Sequence, residues 1–308
     1  MDIAKRLNIA LPSELNQLKV DGTQIWCKRD DLLHPVISGN KWRKLEPTLQ
    51  YALKHKVKHI GSFGGAYSNH LHALAYACYR LNIACTAFVR AHPNSPLSPT
   101  LQDIQSWGTA LHFMSRVEYK NRDNTQTQQE LIKAHSLDML IPEGGSHQSS
   151  LDGVGGILQE STLQASLPFD NIVLPVASAG TMAGLVKYIH THRLNTKVIG
   201  IAVLKGESYL EGSLQRLLGD SVYLGHQGNK THWQIIHRAD FHGAGYAKNT
   251  AEQLAFRASF LAEHGIALDK VYNTKSFFAL TRLLAEGLIS KHERTMILHT
   301  GGLQGDRE

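Results

Sequence analysis

The stretch ISGNKWRKL, residues 37–45, determines how the rest of the chain is interpreted. It places Lys41 between a Ser-Gly-Asn turn and the start of a pattern that is typical of a helix. The upstream stretch KRDD, residues 28–31, is the charged end of a short apolar run, so Lys41 lies at a strand–loop–helix junction. A helix N-terminus and burial both disfavour a protonated amine, and a partly neutral lysine can form a Schiff base with an aldehyde. The alternative is a solvated lysine at a helix start.

Length and composition indicate a globular chain, large enough for one large domain or two ordinary ones. It has 308 residues, of which 42% are hydrophobic and 19% are charged. The chain has no apolar run of the roughly 18 residues that a membrane span requires, and the N-terminal MDIAKR does not resemble a signal peptide. Cys27, Cys78 and Cys85 have no CxxC spacing, so we expect no disulfide framework and a cytoplasmic protein.

The charges and histidines do not indicate a nucleic-acid or metal site. The net charge is +6, from 32 basic and 26 acidic residues, and the basic residues are scattered. Such a surface can attract anionic small molecules but is not typical of nucleic-acid binding. Among the 18 histidines, His55 and His59 are four residues apart, but the second falls at the start of a predicted strand. We therefore expect no nucleic acid, membrane or metal as a partner.

Strands and helices alternate along most of the chain, which predicts an α/β fold. The pattern predicts strands at 23–29, 57–63, 83–89, 109–114, 139–142, 171–176, 197–203 and 295–299. It predicts helices at 42–53, 66–81, 98–107, 125–135, 151–163, 180–192, 249–264 and 276–287, with Pro47 as an irregularity inside the first. A Gly-rich break follows the fifth strand. We expect two open, twisted, mostly parallel sheets with helices on both faces and an active-site cleft between two domains.

Two further strand–loop–helix junctions carry residues that could bind an anion. GGAYSNH, residues 64–70, follows a predicted strand and opens a helix, and PVASAGTMAG, residues 175–184, does the same. Small residues permit a close backbone approach, and the amides of a helix start face an anion placed there. The second stretch matches neither the Gly-x-Gly-x-x-Gly nor the Walker pattern. In each case the alternative is an ordinary helix start, with Ser68 as a simple N-cap in the first.

Together with VYNTKS, residues 271–276, and HTGG, residues 299–302, these motifs resemble the 1-aminocyclopropane-1-carboxylate deaminase/D-cysteine desulfhydrase family. That family belongs to the tryptophan-synthase-β-like, fold-type II pyridoxal-phosphate enzymes. The motifs stand in the family's order, and the resemblance spans nearly the whole chain. It implies an enzyme that binds pyridoxal 5'-phosphate and acts on a small amino acid.

The resemblance also implies a role for each motif. Lys41 would hold the cofactor as a Schiff base, Asn69 would hydrogen-bond the phenolic oxygen of its ring, and Thr300 would meet its pyridine nitrogen. The implied catalytic positions are Lys41, Ser68, Tyr246 and Tyr272. The implied cofactor-binding positions are Lys41, Asn69, Ser178, Ala179, Gly180, Thr181 and Thr300.

For the architecture, the resemblance implies a smaller α/β domain at 44–152, inserted into a larger cofactor-binding domain formed by 1–43 and 153–308. The N-terminal strand would then join the sheet of the later domain. A homodimer is also implied. If one cofactor lies between the two domains, the amine of Lys41 and the turn at 178–181 must lie within the span of one pyridoxal phosphate.

The residue after Tyr272 separates the two branches of the family. In the deaminase branch a glutamate there meets the pyridine nitrogen, whereas in the desulfhydrase branch a threonine does so. This chain has Asn273 and keeps Thr300, so we expect D-cysteine desulfhydrase-like activity, which yields pyruvate, sulfide and ammonia. The open alternatives are 1-aminocyclopropane-1-carboxylate deaminase activity and a non-catalytic binder of a phosphorylated metabolite. The roles of Asn273 and of Glu143 stay open.

Overall fold

The chain folds into two β-sheets with helices packed around them. A computed structural model describes residues 2–206, 208–223, 232–243, 245 and 247–307. None of the helices in these residues combines the length and the apolar character that crossing a membrane requires. The three cysteines are buried and free.

Within the described residues, ten strands form a six-stranded and a four-stranded sheet. The strands are β1 (Glu14–Val20), β2 (Thr23–Arg29), β3 (His59–Gly65), β4 (Ala84–Arg90), β5 (Ala110–Met114), β6 (Met139–Ile141), β7 (Asn171–Val176), β8 (Lys197–Ala202), β9 (Trp233–Ile236) and β10 (Thr295–Leu298). The larger sheet has the order β1-β2-β10-β7-β8-β9, and only the β1–β2 pair is antiparallel among these strands. The smaller sheet has the order β5-β4-β3-β6 and is parallel throughout. The predicted fold class is confirmed.

Most helices connect successive parallel strands. They are α1 (Ile3–Arg6), α2 (Asn40–Lys54), α3 (Asn69–Leu81), α4 (Pro99–Ser106), α5 (Arg116–Lys120), α6 (Thr125–Ala134), α7 (Ser150–Ala165), α8 (Gly180–His192), α9 (Tyr209–Leu218), α10 (Asp220–Tyr223), α11 (Ala239–His242), α12 (Ala251–His264) and α13 (Asn273–Ala285). Short 3₁₀ turns lie at Asp30–Leu32, Glu143–Gly145 and Leu303–Asp306.

The predicted elements are present, with ends that differ by a few residues. Helix α3 begins at Asn69 rather than at 66, because the Ser68 side chain accepts a hydrogen bond from the amide of Leu71 and caps the helix there. The sequence pattern does not predict β1. That strand lies at the sheet edge, and only Val20 of its seven residues is buried, so its residues give little apolar alternation.

Successive residues of the central strands pack into two different cores. On β7, Ile172 and Leu174 pack in one core with α7 and α8, whereas Val173 packs in a second core with α13. This alternation is what a strand requires when helices cover both faces of its sheet.

The two sheets draw on different parts of the chain. The smaller sheet uses strands between His59 and Ile141, whereas the larger sheet combines β1 and β2 with the strands after Asn171. The implied placement of the N-terminal strand agrees with the structure, since Trp26 of β2 lies opposite Met296 of β10. The domain boundaries at 44 and 152 stay a prediction.

Helix α2 packs closely against α7. A Cβ atom added at Gly153 of α7 would lie 2.1 Å from the carbonyl oxygen of Arg43 and 2.9 Å from Pro47, so glycine is required for this contact. Pro47 lies inside α2, as predicted, and lacks the amide that would donate to the Arg43 carbonyl.

A buried ion-pair network also holds α2 in place. The guanidinium of Arg43 binds Asp30 at 2.9 Å and Glu160 at 2.6 Å, and the Lys28 amine binds Glu160 at 3.1 Å. Two cations thus oppose two carboxylates, which compensates charges that would be costly to bury alone. The network joins the end of β2, the start of α2 and α7, and it fixes the segment from which Lys41 projects.

Candidate active site

A cavity of about 1110 Å³ lies where the loops after β3 and β6 meet the loops after β7 and β10. These loops all follow the carboxyl ends of parallel strands, where α/β sheets bind their ligands. The cavity is lined by every predicted site residue that the structure describes: Lys41, Ser68, Asn69, Ser178, Ala179, Gly180, Thr181, Tyr272 and Thr300. The predicted Tyr246 lies outside the described residues.

Helix α2 begins in contact with the loop that follows β10. Gly39 has a φ of +66°, and a Cβ atom added there would lie 1.8 Å from the carbonyl oxygen of Thr300. The amide of Asn40 donates to that same oxygen at 3.3 Å. Glycine alone permits both this backbone conformation and this close approach, so the start of α2 is fixed next to Thr300.

Lys41 and the loop after β7 are joined through Asn40. The Lys41 Nζ donates to Asn40 Oδ1 at 2.6 Å, and Asn40 Nδ2 donates to Thr181 Oγ1 at 2.8 Å. The expected proximity of the amine and the 178–181 turn is therefore present. Burial lowers the pKa of Lys41 to about 8, against the opposing effect of the Asp269 carboxylate. Near that pH about half of the amine is neutral, which is the form that attacks an aldehyde.

The loop after β7 has a conformation suited to an anion. Ala179 has a φ of +56°, and α8 begins at the next residue, Gly180. The first amides of a helix have no acceptor within the helix and attract negative charge. A Cβ atom added at Gly180 would lie 2.2 Å from Ser146 Oγ, so glycine is needed for the two loops to meet.

A second lysine, Lys44, lies buried beside this loop. Its amine donates to Ser146 Oγ at 2.9 Å and to the Gly144 carbonyl at 3.2 Å. Burial and the positive charge of Lys41 together lower the pKa of Lys44 well below its usual value. In the part of the chain that the structure describes, no acidic side chain pairs with Lys44, so an anion bound at the loop would supply the missing counter-charge.

Ser68 and Asn69 open α3 at the opposite side of the cavity. Ser68 accepts from the amide of Leu71 at 3.2 Å and is the N-cap of α3, and it also lines the cavity, so its predicted site role stays a prediction. The Oδ1 atom of Asn69 accepts from the side chain of Gln304 in the C-terminal 3₁₀ turn. The predicted Ser-Asn pair is therefore held by one contact within α3 and one contact with the C-terminal turn.

Asn273 supports the loop that carries Thr300. Its Oδ1 accepts from the Thr300 amide at 2.9 Å and from the Thr300 hydroxyl at 3.2 Å. Its Nδ2 donates to the Gly301 carbonyl at 2.7 Å and to the carboxylate of Asp269. The side chain is fully buried and uses both ends of its amide within the protein, which gives Asn273 a supporting role.

The remaining predicted positions lie at the cavity wall. Tyr272 precedes α13, and its backbone amide donates to Asp269 at 2.8 Å. Glu143 forms an ion pair with Arg122 at 2.8 Å. Among the residues that the structure describes, no group of three or more His, Cys, Asp or Glu side chains is arranged to hold a metal ion.

A comparison with known families identifies the chain. A family model described as "Pyridoxal-phosphate dependent enzyme" matches residues 9–301. The chain belongs to this family. The resemblance inferred from the motifs, the expected cofactor and the expected enzymatic nature are thereby confirmed.

Individual relatives of this pyridoxal-phosphate-dependent enzyme carry two activities in their names. The chain is 32% identical over 288 residues to a putative 1-aminocyclopropane-1-carboxylate deaminase of Thermotoga maritima, covering 92% of this chain and 90% of that protein. It is 30% identical over 300 residues to a mitochondrial bifunctional D-cysteine desulfhydrase/1-aminocyclopropane-1-carboxylate deaminase of Arabidopsis thaliana, covering 92% and 74%. A crystal structure of an ACC deaminase homologue matches with a TM-score of 0.82 at 23% identity, covering 99% of this chain and 96% of that one, which supports the fold. The expected homodimer, cytoplasmic location and lack of a nucleic-acid partner stay predictions.

The cavity residues of this pyridoxal-phosphate-dependent enzyme fit its cofactor. The Lys41 amine has a lowered pKa and is joined through Asn40 to Thr181 at the start of α8. The buried Lys44 lies beside that same helix start and has no carboxylate partner among the described residues. These features match an aldehyde and a phosphate carried by one small molecule. The roles of the individual residues stay predictions.

Three residues that line or support the site are absent from the predicted set: Asn40, Lys44 and Gln304. Lys44 stands three residues after Lys41, and this spacing on a helix could have indicated that both lysines share a face. No sequence signal indicates Gln304, because its contact with Asn69 joins positions 235 residues apart.

Gly39→Ala should weaken binding of pyridoxal phosphate by about 100-fold, because the new Cβ would push α2 away from Thr300 and would strain a left-handed residue. Titration of the cofactor-stripped protein gives the dissociation constant. The matched control is Gly22→Ala, where φ is +76° but no atom lies within 4 Å of the added Cβ. Equal affinities of the two variants would contradict the proposed contact.

The rate at which the cofactor-free protein forms its complex with pyridoxal phosphate should rise with pH, with a midpoint near pH 8. The folded pKa of Lys41 lies below its usual 10.5, so the neutral amine gains population as the pH rises through about 8. Stopped-flow absorbance across pH 6 to 10.5 measures this, with Lys41→Ala as the control that forms no complex. A rate that keeps rising up to the usual lysine pKa of about 10.4 would contradict a lowered pKa.

Proposed function

We propose that this pyridoxal-phosphate-dependent enzyme is a D-cysteine desulfhydrase, which converts D-cysteine and water to pyruvate, sulfide and ammonia. The observation that carries the proposal is that Thr300 lines the cavity and that the buried residue beside it, Asn273, has a neutral amide in place of a carboxylate. A hydroxyl partner leaves the pyridine nitrogen of the cofactor largely neutral, whereas a carboxylate would keep it protonated. The carboxylate of Asp269 lies behind Asn273 and accepts hydrogen bonds from the backbone amides of Tyr272 and Asn273.

In this proposal different loops and helix starts around the cavity hold different parts of the cofactor. Lys44 and the loop at 178–181 bind its phosphate, Thr300 faces its ring nitrogen, and Asn69 donates to its ring oxygen. When bound, pyridoxal phosphate supplies the electron sink that stabilises negative charge at the substrate's α-carbon. The small residues and helix start of the loop support this assignment, as does the buried amine of Lys44, which has no carboxylate partner among the described residues.

Lys41 is proposed to move the proton of the substrate's α-carbon. Its lowered pKa of about 8 lets the amine act as a neutral base near that pH. Tyr272, which lines the same cavity, is the second candidate for this transfer, and Tyr246 is a further one outside the described residues. Ser68 is proposed to lie beside the substrate's carboxylate or its reacting carbon. The sulfur then leaves as sulfide. Water cleaves the carbon–nitrogen bond of the three-carbon product that remains, which yields pyruvate and ammonia.

The second candidate function is 1-aminocyclopropane-1-carboxylate deaminase, which the names of the relatives support equally. Ring opening of that substrate places a stronger demand on the electron sink, for which a carboxylate at position 273 would be the better partner. Membership of a family of enzymes argues against a non-catalytic binder of a phosphorylated metabolite.

Purified protein should release sulfide, pyruvate and ammonia from D-cysteine and should release little 2-oxo acid from 1-aminocyclopropane-1-carboxylate. A screen for ammonia and 2-oxo acids across D- and L-amino acids and the cyclopropane substrate measures this. The control is Lys41→Ala, which should lose all turnover. Faster release of 2-oxo acid from the cyclopropane substrate than from D-cysteine would establish the deaminase instead.

A further inference from the structure

The C-terminal 3₁₀ turn, Leu303–Asp306, connects helices packed on the larger sheet with helices packed on the smaller sheet, beside the cavity. On one side, the carboxylate of Asp306 accepts from Arg257 at 2.6 Å and from the Lys270 amide at 3.0 Å. On the other side, Gln304 contacts Thr100 of α4 and Asn69 of α3. The turn therefore reaches from the helices of the larger sheet to a predicted cofactor-binding residue at the smaller sheet.

The partners of Gln304 determine which way its amide points. Thr100 Oγ1 lies 2.9 Å from Gln304 Oε1, and Arg307 Nη2 lies 3.3 Å from the same atom. An arginine guanidinium only donates hydrogen bonds, so the atom that faces Arg307 must be the amide oxygen. Arg307 is itself held by Asp103 at 2.6 Å. The amide nitrogen of Gln304 must therefore face Asn69.

The orientation of the Asn69 amide follows from that of Gln304. Because the Gln304 nitrogen donates, the Asn69 atom that receives this bond is its oxygen, Oδ1. Nδ2 is left on the side of Gly302, where an added Cβ would lie 3.1 Å away, and no described residue accepts a hydrogen bond from it. An N–H group at a cavity wall that has no acceptor among the described side chains and backbone suits an oxygen acceptor on a ligand.

We propose that Gln304 is a positioning residue, which holds Asn69 so that its Nδ2 donates to the ring oxygen of pyridoxal phosphate. The inference rests on the proposed role of Asn69 in cofactor binding. Arg307 determines the orientation of the Gln304 amide. It binds the amide oxygen, so the amide nitrogen faces Asn69. The last residues of the chain thus determine which atom a side chain 235 positions earlier presents to the cofactor.

The variant Gln304→Glu separates this role from simple attachment of the C-terminal turn. A carboxylate at 304 keeps its acceptors for Thr100 and Arg307, so the turn stays attached. It has no N–H to give to Asn69, whose amide must then rotate and present an oxygen to the oxygen of the cofactor ring. We expect a 10- to 100-fold rise in the dissociation constant for pyridoxal phosphate, the loss that follows from facing two acceptors at about 1.4 kcal/mol per factor of ten.

The test titrates cofactor-stripped protein with pyridoxal phosphate and records the dissociation constant and the visible absorption maximum of the complex. It compares wild type, Gln304→Glu, Asn69→Ala and the double variant, with Gln105→Glu as an equally charged control on the exposed face of α4. We expect both single variants to bind more weakly, with the same direction of shift in the absorption maximum. The double variant should bind no more weakly than Asn69→Ala, because both changes act on one hydrogen bond. The control should match the wild type.

Three results would overturn the positioning role. One is wild-type affinity and absorption in Gln304→Glu, and another is a loss that adds fully to that of Asn69→Ala in the double variant. The third is a thermal unfolding midpoint of the cofactor-free variant that falls below that of the control, which would indicate a detached turn instead. None of these three results affects the proposed function, provided that the wild-type protein binds the cofactor and cleaves D-cysteine. Wild-type protein that fails to bind pyridoxal phosphate would overturn both.

Discussion

The site depends on the contact between the first residues of α2 and the backbone at Thr300. Gly39 allows that contact because any side chain there would meet the Thr300 carbonyl. The next residue, Asn40, then reaches Thr181 with one end of its amide and Lys41 with the other. Three loops, after β7, after β10 and before α2, are thereby held together by two adjacent residues. The amine, the helix start and the threonine hydroxyl occupy one cavity because of this arrangement.

Helix α2 carries three cations close together, and the fold treats them differently. Arg43 binds two carboxylates, which raise the pKa of its guanidinium despite burial, and it serves as a permanent positive charge between α2 and α7. Lys41 and Lys44 lack such partners among the described residues, and burial lowers the pKa of both. Burial, together with the positive charges of Lys41, Lys44 and His147, also lowers the pKa of His70 well below its usual value. The paired cation supports the fold, and the unpaired ones are left available for a ligand.

Local patterns predict most of the fold because the central strands and helices have strong apolar periodicity. The strand at 171–176 and the helix at 180–192 have the predicted ends, since a fully buried strand leads through small residues directly into a helix. The edge strand β1 is missed because it faces solvent and shows little apolar contrast. That β2 pairs with β10 does not follow from periodicity, because the two strands lie far apart in sequence.

Sequence patterns likewise indicate some residues of the site and not others. Lys41, Ser68, Asn69 and the 178–181 loop are visible in the sequence because each stands at a helix start after a strand. The supporting roles do not follow from the sequence. Asn273 stands out as the residue after Tyr272, but its hydrogen bonds to Thr300 do not, and Gln304 acts through a turn near the C-terminus. Such partners follow from tertiary packing alone, and a local pattern carries no information about them.

The central claim is that the amine of Lys41 carries the cofactor. Reduction of the holoenzyme with borohydride converts a Schiff base to a stable secondary amine, and mass spectrometry of the digested protein then locates the modified lysine. The account predicts a pyridoxyl group on Lys41 and none on Lys44, three residues away. Modification of Lys44 or of another lysine, with Lys41 unmodified, would contradict it.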